Sequence, residues 1–401
     1  MKPLKSLISL EEARKLLLDA ARPIERTEEV LLLQAGGRVI AQGVVAGIDV
    51  PPFPRAAMDG YAVRAEDTFG AGDLRPVELP LIGVIHAGEE GREEVKKGTC
   101  IQVATGAPMP LGANAVVKVE DTELFGDKVR VYKPVHPGAN LAPAGEDIRK
   151  GAEMLQPGSY LTPSKVGVLA ALGISRLRVY ARPSVAVIPS GSEVVEPGKS
   201  LGPGRIYDIN SYTLAALIQE NGGLPRVFPI MADEVVGLRE ALVEALAFDL
   251  VVISGGSSVG ERDLLASVLD GMGEVIFHGI AVKPGKPTLL ALVEGKPVLG
   301  MPGYPTSCLT NGYGLLVPML RKMARLPDGE REPLRVPLAR RVTSTIGRHQ
   351  FLPVKLLKGQ AVPVFKESGA ITSMADADGY IEIPANVDLL ERGEVVEVKL
   401  F

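Results

Sequence analysis

The sequence predicts a multidomain α/β plus β protein: a doubly wound parallel-sheet domain, a β insertion domain ahead of it and a C-terminal β-barrel. Three observations carry that expectation. From Ser184 to about Leu326 short apolar runs alternate with helical patterns, the mark of a parallel sheet with crossover helices. Between Gly37 and about Tyr180 the segments are short, β-rich and separated by turn residues. Beyond Pro327 the apolar residues return at period two.

In chain order, Ser9-Leu10-Glu11-Glu12 reads as a capping box that opens an amphipathic helix running to about Ala21. A shorter helical patch is expected from Thr27 to Ala35, ending on Gly36-Gly37. Leu81–His86, Cys100–Ala104, Ala115–Val119 and Lys128–Val135 are the strands expected in the insertion. Polar, glycine-bearing turns lie among them at RAAMDGYAV, TGAPMP and GEDI. Pro163 to Leu172 reads as a helix stopped at Gly173.

The alternating region then offers a strand at Ser184–Ile188 and a helix capped by Asn210 or Ser211 and ended by Gly222-Gly223. A strand at Arg226–Pro229 and a helix carrying Leu238, Leu242 and Leu246 follow. Leu250–Ile253 is a continuous apolar run, as in a parallel strand buried on both faces. Glu274–Val282, Thr288–Val293 and Pro297–Met301 are the remaining strands, and a long apolar helix runs from PGYPTS to about Leu326.

Composition limits the function classes. The 401 residues suffice for roughly two to four domains. Net charge is −4, which argues against a nucleic-acid surface, and the lack of tryptophan removes the best stacking platform for bases. Two cysteines are too few for a disulfide framework, and four scattered histidines make a histidine metal site improbable. No apolar run reaches membrane-spanning length, and the first residues soon turn acidic, so a cytoplasmic protein without membrane contact is expected.

The stretch from Asp249 to Asp263, DLVVISGGSSVGERD, is where chemistry is expected first. A strand that breaks into Ser254, Gly255, Gly256, Ser257, Ser258 and Gly260 before a helix leaves backbone N–H groups unpaired, a seat for an anion. Asp263 in the first helical turn would hold a cation or orient a nucleophile there; the bland alternative is a dipole-complementing acid. Loops PSGSE and MADE also follow strands, and ligands bind open sheets at the carboxyl ends of strands. They bring Glu193 and Asp233 toward the same place, although Asp233 also suits an ordinary N-cap. In KPGKP two prolines stiffen a turn carrying Lys283 and Lys286, which lowers the entropy lost when lysines clamp an oxyanion.

PPFPRAAMDGYAV, ATGAPMP, GEDI, IYDIN, SGGSSVGERD, KPGKP and GMPGYPTS occur in this order over nearly the whole chain. Together they resemble the molybdopterin molybdenumtransferases, the MoeA family, whose animal member is the molybdenum-insertion domain of gephyrin. The resemblance implies a linking domain at residues 1–45 and 141–182, the insertion at 46–140, an α/β domain of the molybdopterin-binding type at 183–327 and the barrel at 328–401. It implies an elongated homodimer that converts molybdate and adenylylated molybdopterin into molybdenum cofactor and AMP, aided by Mg²⁺. The molybdopterin adenylyltransferase and molybdoenzyme apoproteins are the protein partners it suggests.

By the same resemblance Asp263, Asp59, Glu193 and Asp233 are catalytic candidates, with Asp263 and Asp59 on the metal. Thr105, Lys283 and the Ser254–Gly260 loop are the candidates for nucleotide or pterin binding; Lys286, Ser307, Arg348 and Ser368 match the family's oxyanion positions. Ser192, Ile209 and Tyr304 depart from the commoner pattern. They leave as alternatives a tungstate-specific paralogue and a non-catalytic pterin-binding scaffold or metal-oxyanion sensor. An adenylyltransferase acting one step earlier shares the α/β domain, but that domain usually works alone.

Overall fold

The computed structural model describes residues 7–91, 93–232, 234–255, 264–329 and 332–401. The chain forms two compact units: Met1–Glu29, Gly37–Ala41 and Arg178–Phe401 make one, Val30–Gly36 and Gln42–Leu177 the other. Among the described residues no helix is long and apolar enough to cross a membrane.

The first unit opens with α1 (Leu10–Ala20), where Ser9 Oγ accepts the Glu12 N–H at 3.0 Å as the capping box predicts. Its sheet has six strands: β1 (Ser184–Pro189), β2 (Leu224–Val227), β3 (Leu250–Ser254), β4 (Glu274–His278), β5 (Leu289–Val293) and β6 (Lys296–Met301). Their spatial order is β2-β1-β3-β6-β5-β4. The first four are parallel, with Val185 opposite Leu250 and Val251 opposite Val298.

Successive residues of a strand face opposite ways, so each buried strand feeds two cores. Val185, Val187, Leu250, Val252 and Leu299 pack with Leu10 and Leu17 of α1 and with Leu214, Leu217 and Ile218 of α2 (Asn210–Glu220). Ala186, Ile188, Val251, Ile253 and Val298 pack with Leu238 and Leu242 of α3 (Val235–Ala245) and Leu265 and Leu269 of α4 (Leu264–Asp270). Burying each large aliphatic side chain contributes roughly 1.5–3 kcal/mol. Both faces are therefore covered by helices, as the continuous apolar runs require.

Four details differ from the sequence expectation. β5 runs antiparallel to both its neighbours, β6 and β4; it is joined to β6 by the two-residue turn Glu294-Gly295, both at positive φ, and so short a loop cannot make a crossover. Helix α2 is capped by neither Asn210 nor Ser211: Asp208 Oδ1 accepts the Ser211 N–H at 3.1 Å, and Asn210 lies inside the helix. Thr27–Leu31 is a strand followed by the 3-10 turn Leu32–Gln34 rather than a helix. Its four consecutive apolar residues, Val30 to Leu33, carry no 3.6 period, and the flanking Arg26 carbonyl accepts the Ala181 N–H.

The long C-terminal helix is the fourth. It divides into α5 (Pro305–Asn311), a π turn at Gly312–Leu316 and α6 (Val317–Met323). Pro318 has no N–H to give the Gly314 carbonyl, and Arg14 Nε of α1 donates to that carbonyl at 3.1 Å.

The chain continues into strands β7 (Leu334–Pro337), β8 (His349–Leu357), β9 (Gln360–Pro363), β10 (Gly379–Ile383) and β11 (Val395–Leu400). β8, β10, β11 and β7 are neighbours in that order, and β9 pairs with β8. Val282–Lys283 joins the start of β8, which brings the KPGKP turn beside this sheet.

The second unit contains a six-stranded sheet ordered Ala115–Lys118, Gly60–Val63, Cys100–Val103, Val77–Ile85, Lys128–Val131 and Thr122–Phe125. Its two faces are filled by separate small clusters around Val63, Val117 and Val129, and around Ile101, Val103 and Val116. The Pro163–Ala171 helix is capped by Thr162 and followed by Gly173 at φ 74°, as its sequence signals indicate.

Candidate functional site

The strand order places a switch point between β1 and β3, where one chain connection leads outward to β2 and the next returns to the other side. A crevice of about 1660 Å³ opens at the carboxyl ends of β1, β3 and β6. Backbone bonds draw the three ends together: Ser190 N–H donates to Ser254 O at 2.9 Å, and Gly255 N–H to Met301 O at 3.4 Å. Gly255 sits at φ 91°, and a Cβ there would lie 2.1 Å from the Ser190 carbonyl. Only glycine lets the first turn after β3 come this close to the turn after β1.

The crevice brings together Glu193, Ser254, Gly255, Lys283, Lys286, Ser307 and Ser368 from loops far apart in sequence. Ser307 is 3% exposed in the first turn of α5. Its neighbour Thr306 ties in the loop after β9: Thr306 N–H donates to Ser368 O at 3.0 Å and Thr306 Oγ1 to Ala370 O at 2.9 Å. Lys283 Nζ donates to Thr345 Oγ1 at 3.2 Å, while Lys286 lies half-buried on the wall. Among the described residues four cations (Arg205, Lys283, Lys286, Lys366) line the crevice against three carboxylates (Glu193, Asp208, Glu367). Such walls favour an anionic ligand, because partial burial strengthens each charge-assisted bond.

Arg348 is not among the lining residues; its N–H donates to Thr345 O in the turn before β8. Asp59 and Thr105 lie in the second unit and meet each other: Thr105 N–H and Oγ1 donate to Asp59 Oδ1 at 2.6 and 2.8 Å. Those two bonds hold the exposed Asp59 carboxyl below the usual carboxylate range. Asp233, Gly256, Ser257, Ser258, Gly260 and Asp263 fall outside the described residues.

Asp208, Asn210 and Arg205 are among the crevice residues that were not sequence candidates. Asp208 is 7% exposed, caps α2 and donates its N–H to Val195 O at 2.9 Å. Asn210 Nδ2 donates to Gly303 O at 2.9 Å, joining α2 to the PGYP turn. Arg205 donates to the Ser192 carbonyl. The IYDIN motif held two of them, but an acid three residues before a helical serine reads first as a cap.

The thiols offer no nucleophile: burial pushes Cys308 far up, with Asp208 adding to it, and pushes Cys100 up to about 12. Among the described residues no group of three or more His, Cys, Asp or Glu side chains converges as a metal site. Of the two acids expected on Mg²⁺, Asp59 lies in the second unit and Asp263 outside the described residues.

The N-terminal region model of MoeA (domains I and II) matches residues 8–173, the molybdopterin binding domain model residues 186–322, and the MoeA C-terminal region model (domain IV) residues 335–401. Molybdopterin molybdenumtransferase 2 of Mycobacterium tuberculosis is 36% identical over 396 residues, covering 95% of this chain and 96% of the relative. The molybdopterin molybdenumtransferase of Haemophilus influenzae is 34% identical over 329 residues, or 82% of this chain and 80% of its own length. The crystal structure of a molybdopterin biosynthesis MoeA protein from Pyrococcus horikoshii superposes with a TM-score of 0.85 at 44% identity, covering 98% of this chain and 99% of that one. Three family models in the right order and relatives matched end to end agree with the site's architecture: the chain belongs to the MoeA family of molybdopterin molybdenumtransferases.

Proposed function

We propose that this chain inserts molybdenum into molybdopterin, taking adenylylated molybdopterin and molybdate and releasing AMP. The observation that carries the reading is the convergence of Lys283, Lys286, Ser307 and Ser368 on one crevice beside the glycine turn after β3. A tetrahedral dianion suits ammonium and hydroxyl donors on fixed backbone, and the glycine turn suits phosphate oxygens. Two strong anions must meet in this reaction, and preorganised donors lower the barrier to that meeting. Asp263 orients the attacking water or oxyanion near the phosphoanhydride, with Glu193 facing the same space. Mg²⁺, when bound, neutralises phosphate charge. Asp59, Thr105 and Arg348 are proposed to complete substrate binding, and the working protein is a cytoplasmic homodimer.

The test is AMP release from adenylylated molybdopterin on adding molybdate. Asp263→Ala is expected to abolish release while stability stays within about 1 kcal/mol of wild type. Normal turnover in that variant sinks the assignment. The departure from the commoner family pattern at Tyr304, on the crevice wall, leaves one second reading, a preference for tungstate. Competition between the two oxyanions in the same assay decides it. Light scattering reads the dimer: a monomer mass in solution removes that part of the proposal.

A further inference from the structure

Helix α5 spans seven residues and carries four almost fully buried polar side chains: Thr306, Ser307, Thr310 and Asn311. Polar groups are rarely buried so densely unless each is bonded to something specific. Ser307 faces the crevice. Asn311 lies one helical turn further on, so it shares that face. Its Nδ2 donates to Gly285 O at 2.9 Å and to Thr288 Oγ1 at 2.8 Å. Thr288 Oγ1 donates in turn to Gly285 O at 2.9 Å. The two side chains, both 0% exposed, thus clasp the carbonyl at the middle of the KPGKP turn.

Gly285 makes the clasp possible. It sits at φ 101°, and a Cβ there would lie 2.3 Å from Asn311 Nδ2. The amide orientation follows from its partners, since the Gly285 carbonyl can only accept. Asn311 Oδ1 meanwhile has no hydrogen-bond partner among the described residues. An orphaned buried acceptor is unfavourable. The two bonds that Nδ2 donates are what the position supplies to the turn.

We propose that Asn311, acting through Thr288 and the Gly285 carbonyl, is a positioning residue that fixes the Lys283–Lys286 turn against Ser307 for oxyanion binding. The inference rests on the reading of Lys286 as an oxyanion ligand. Without the clasp a lysine turn samples several backbone positions, and the oxyanion must then supply the ordering itself.

The experiment uses the full chain and compares Asn311→Leu, Thr288→Val and Thr288→Ser. It measures molybdate binding by calorimetry, the molybdate concentration for half-maximal AMP release, the KM for adenylylated molybdopterin and the thermal midpoint. Asn311→Leu and Thr288→Val are expected to weaken molybdate about tenfold, with the pterin nucleotide KM within about twofold. Thr288→Ser keeps the hydroxyl and should stay near wild type. If Asn311→Leu does not fold, the two Thr288 variants decide alone. A Thr288→Val protein with wild-type molybdate affinity overturns the proposal, and so does a Thr288→Ser protein as impaired as Thr288→Val, which would mean packing. Equal weakening of both substrates overturns it as well. Lys286→Ala separates the layers: an unchanged molybdate affinity there sinks the oxyanion reading itself and this inference with it.

Discussion

Gly255 shows how one missing methyl group shapes the site. Its positive φ and the 2.1 Å approach that a Cβ would make to the Ser190 carbonyl act together. Gly255→Ala should therefore force the ends of β1 and β3 apart, at a cost of about 2–4 kcal/mol, and abolish AMP release. Gly303 is the control on the same wall, because among the described residues a Cβ there meets nothing nearer than Gly255 Cα at 3.7 Å. Gly303→Ala should stay within about 1 kcal/mol of wild type in urea denaturation. Equal destabilisation of the two variants would mean that the close approach is not what requires glycine at 255.

The strands that carry the site are anchored at their opposite ends by Asp249. Arg26 holds it through two bonds of 2.7 Å, and Ser184 N–H and Oγ each donate to it at 2.8 Å. Burial by itself raises the carboxyl, but the Arg26 and Ser184 bonds outweigh burial and hold it at about 2. The unfolded chain titrates near the ordinary value of about 3.9, so it binds more protons than the folded chain between the two. The stabilisation is complete above about pH 4 and is lost as pH falls toward about 2. Solvent reaches the Arg26 side, so the pH-dependent part is expected at roughly 1–2 kcal/mol. Urea denaturation of wild type and Asp249→Asn should show a gap at pH 6 that narrows toward pH 2. A gap that does not change with pH would place the effect in packing.

Across the first unit, one carboxylate joins the two ends of the chain. Glu382 of β10 accepts from Arg14 of α1 at 2.8 Å and from Lys399 of β11 at 3.0 Å, with His349 Nε2 of β8 at 3.2 Å. Burial pushes its pKa up, yet the His349, Arg14 and Lys399 bonds together keep it far below the usual carboxylate range. Glu382→Gln should destabilise the protein by about 2–4 kcal/mol in calorimetry, since it leaves half-buried cations underpaired. By the same linkage the clamp's stabilisation begins to fall as pH drops through the ordinary carboxylate range and is lost completely only well below it. A thermal midpoint that does not move would show that the clamp contributes nothing net.

Much of the architecture was legible in the sequence because it depends on near neighbours. A strand covered on both faces must be apolar at every position, so β1, β3 and β6 announce themselves, as do the Ser9 capping box and the Gly173 stop. The glycine turn and the lysine turn were readable for the same reason, since each proposed chemistry needs a local residue pattern, whereas Ser307 came only from the family resemblance. What only the tertiary structure decided lies in contacts between distant residues. Pro318 frees the Gly314 carbonyl locally, but Arg14, which takes it up, reaches it across 300 positions. Asp208 caps α2 in place of the residues beside it, and β5 turns back antiparallel through a two-residue loop. Asn311 looks in sequence like one polar residue in an apolar helix, and becomes the clasp of the lysine turn only when the fold brings Gly285 and Thr288 to it. Local pattern selects the elements because burial and capping act over a few residues; the partners of buried polar groups are set by whichever chain segments the packed cores bring within hydrogen-bond reach.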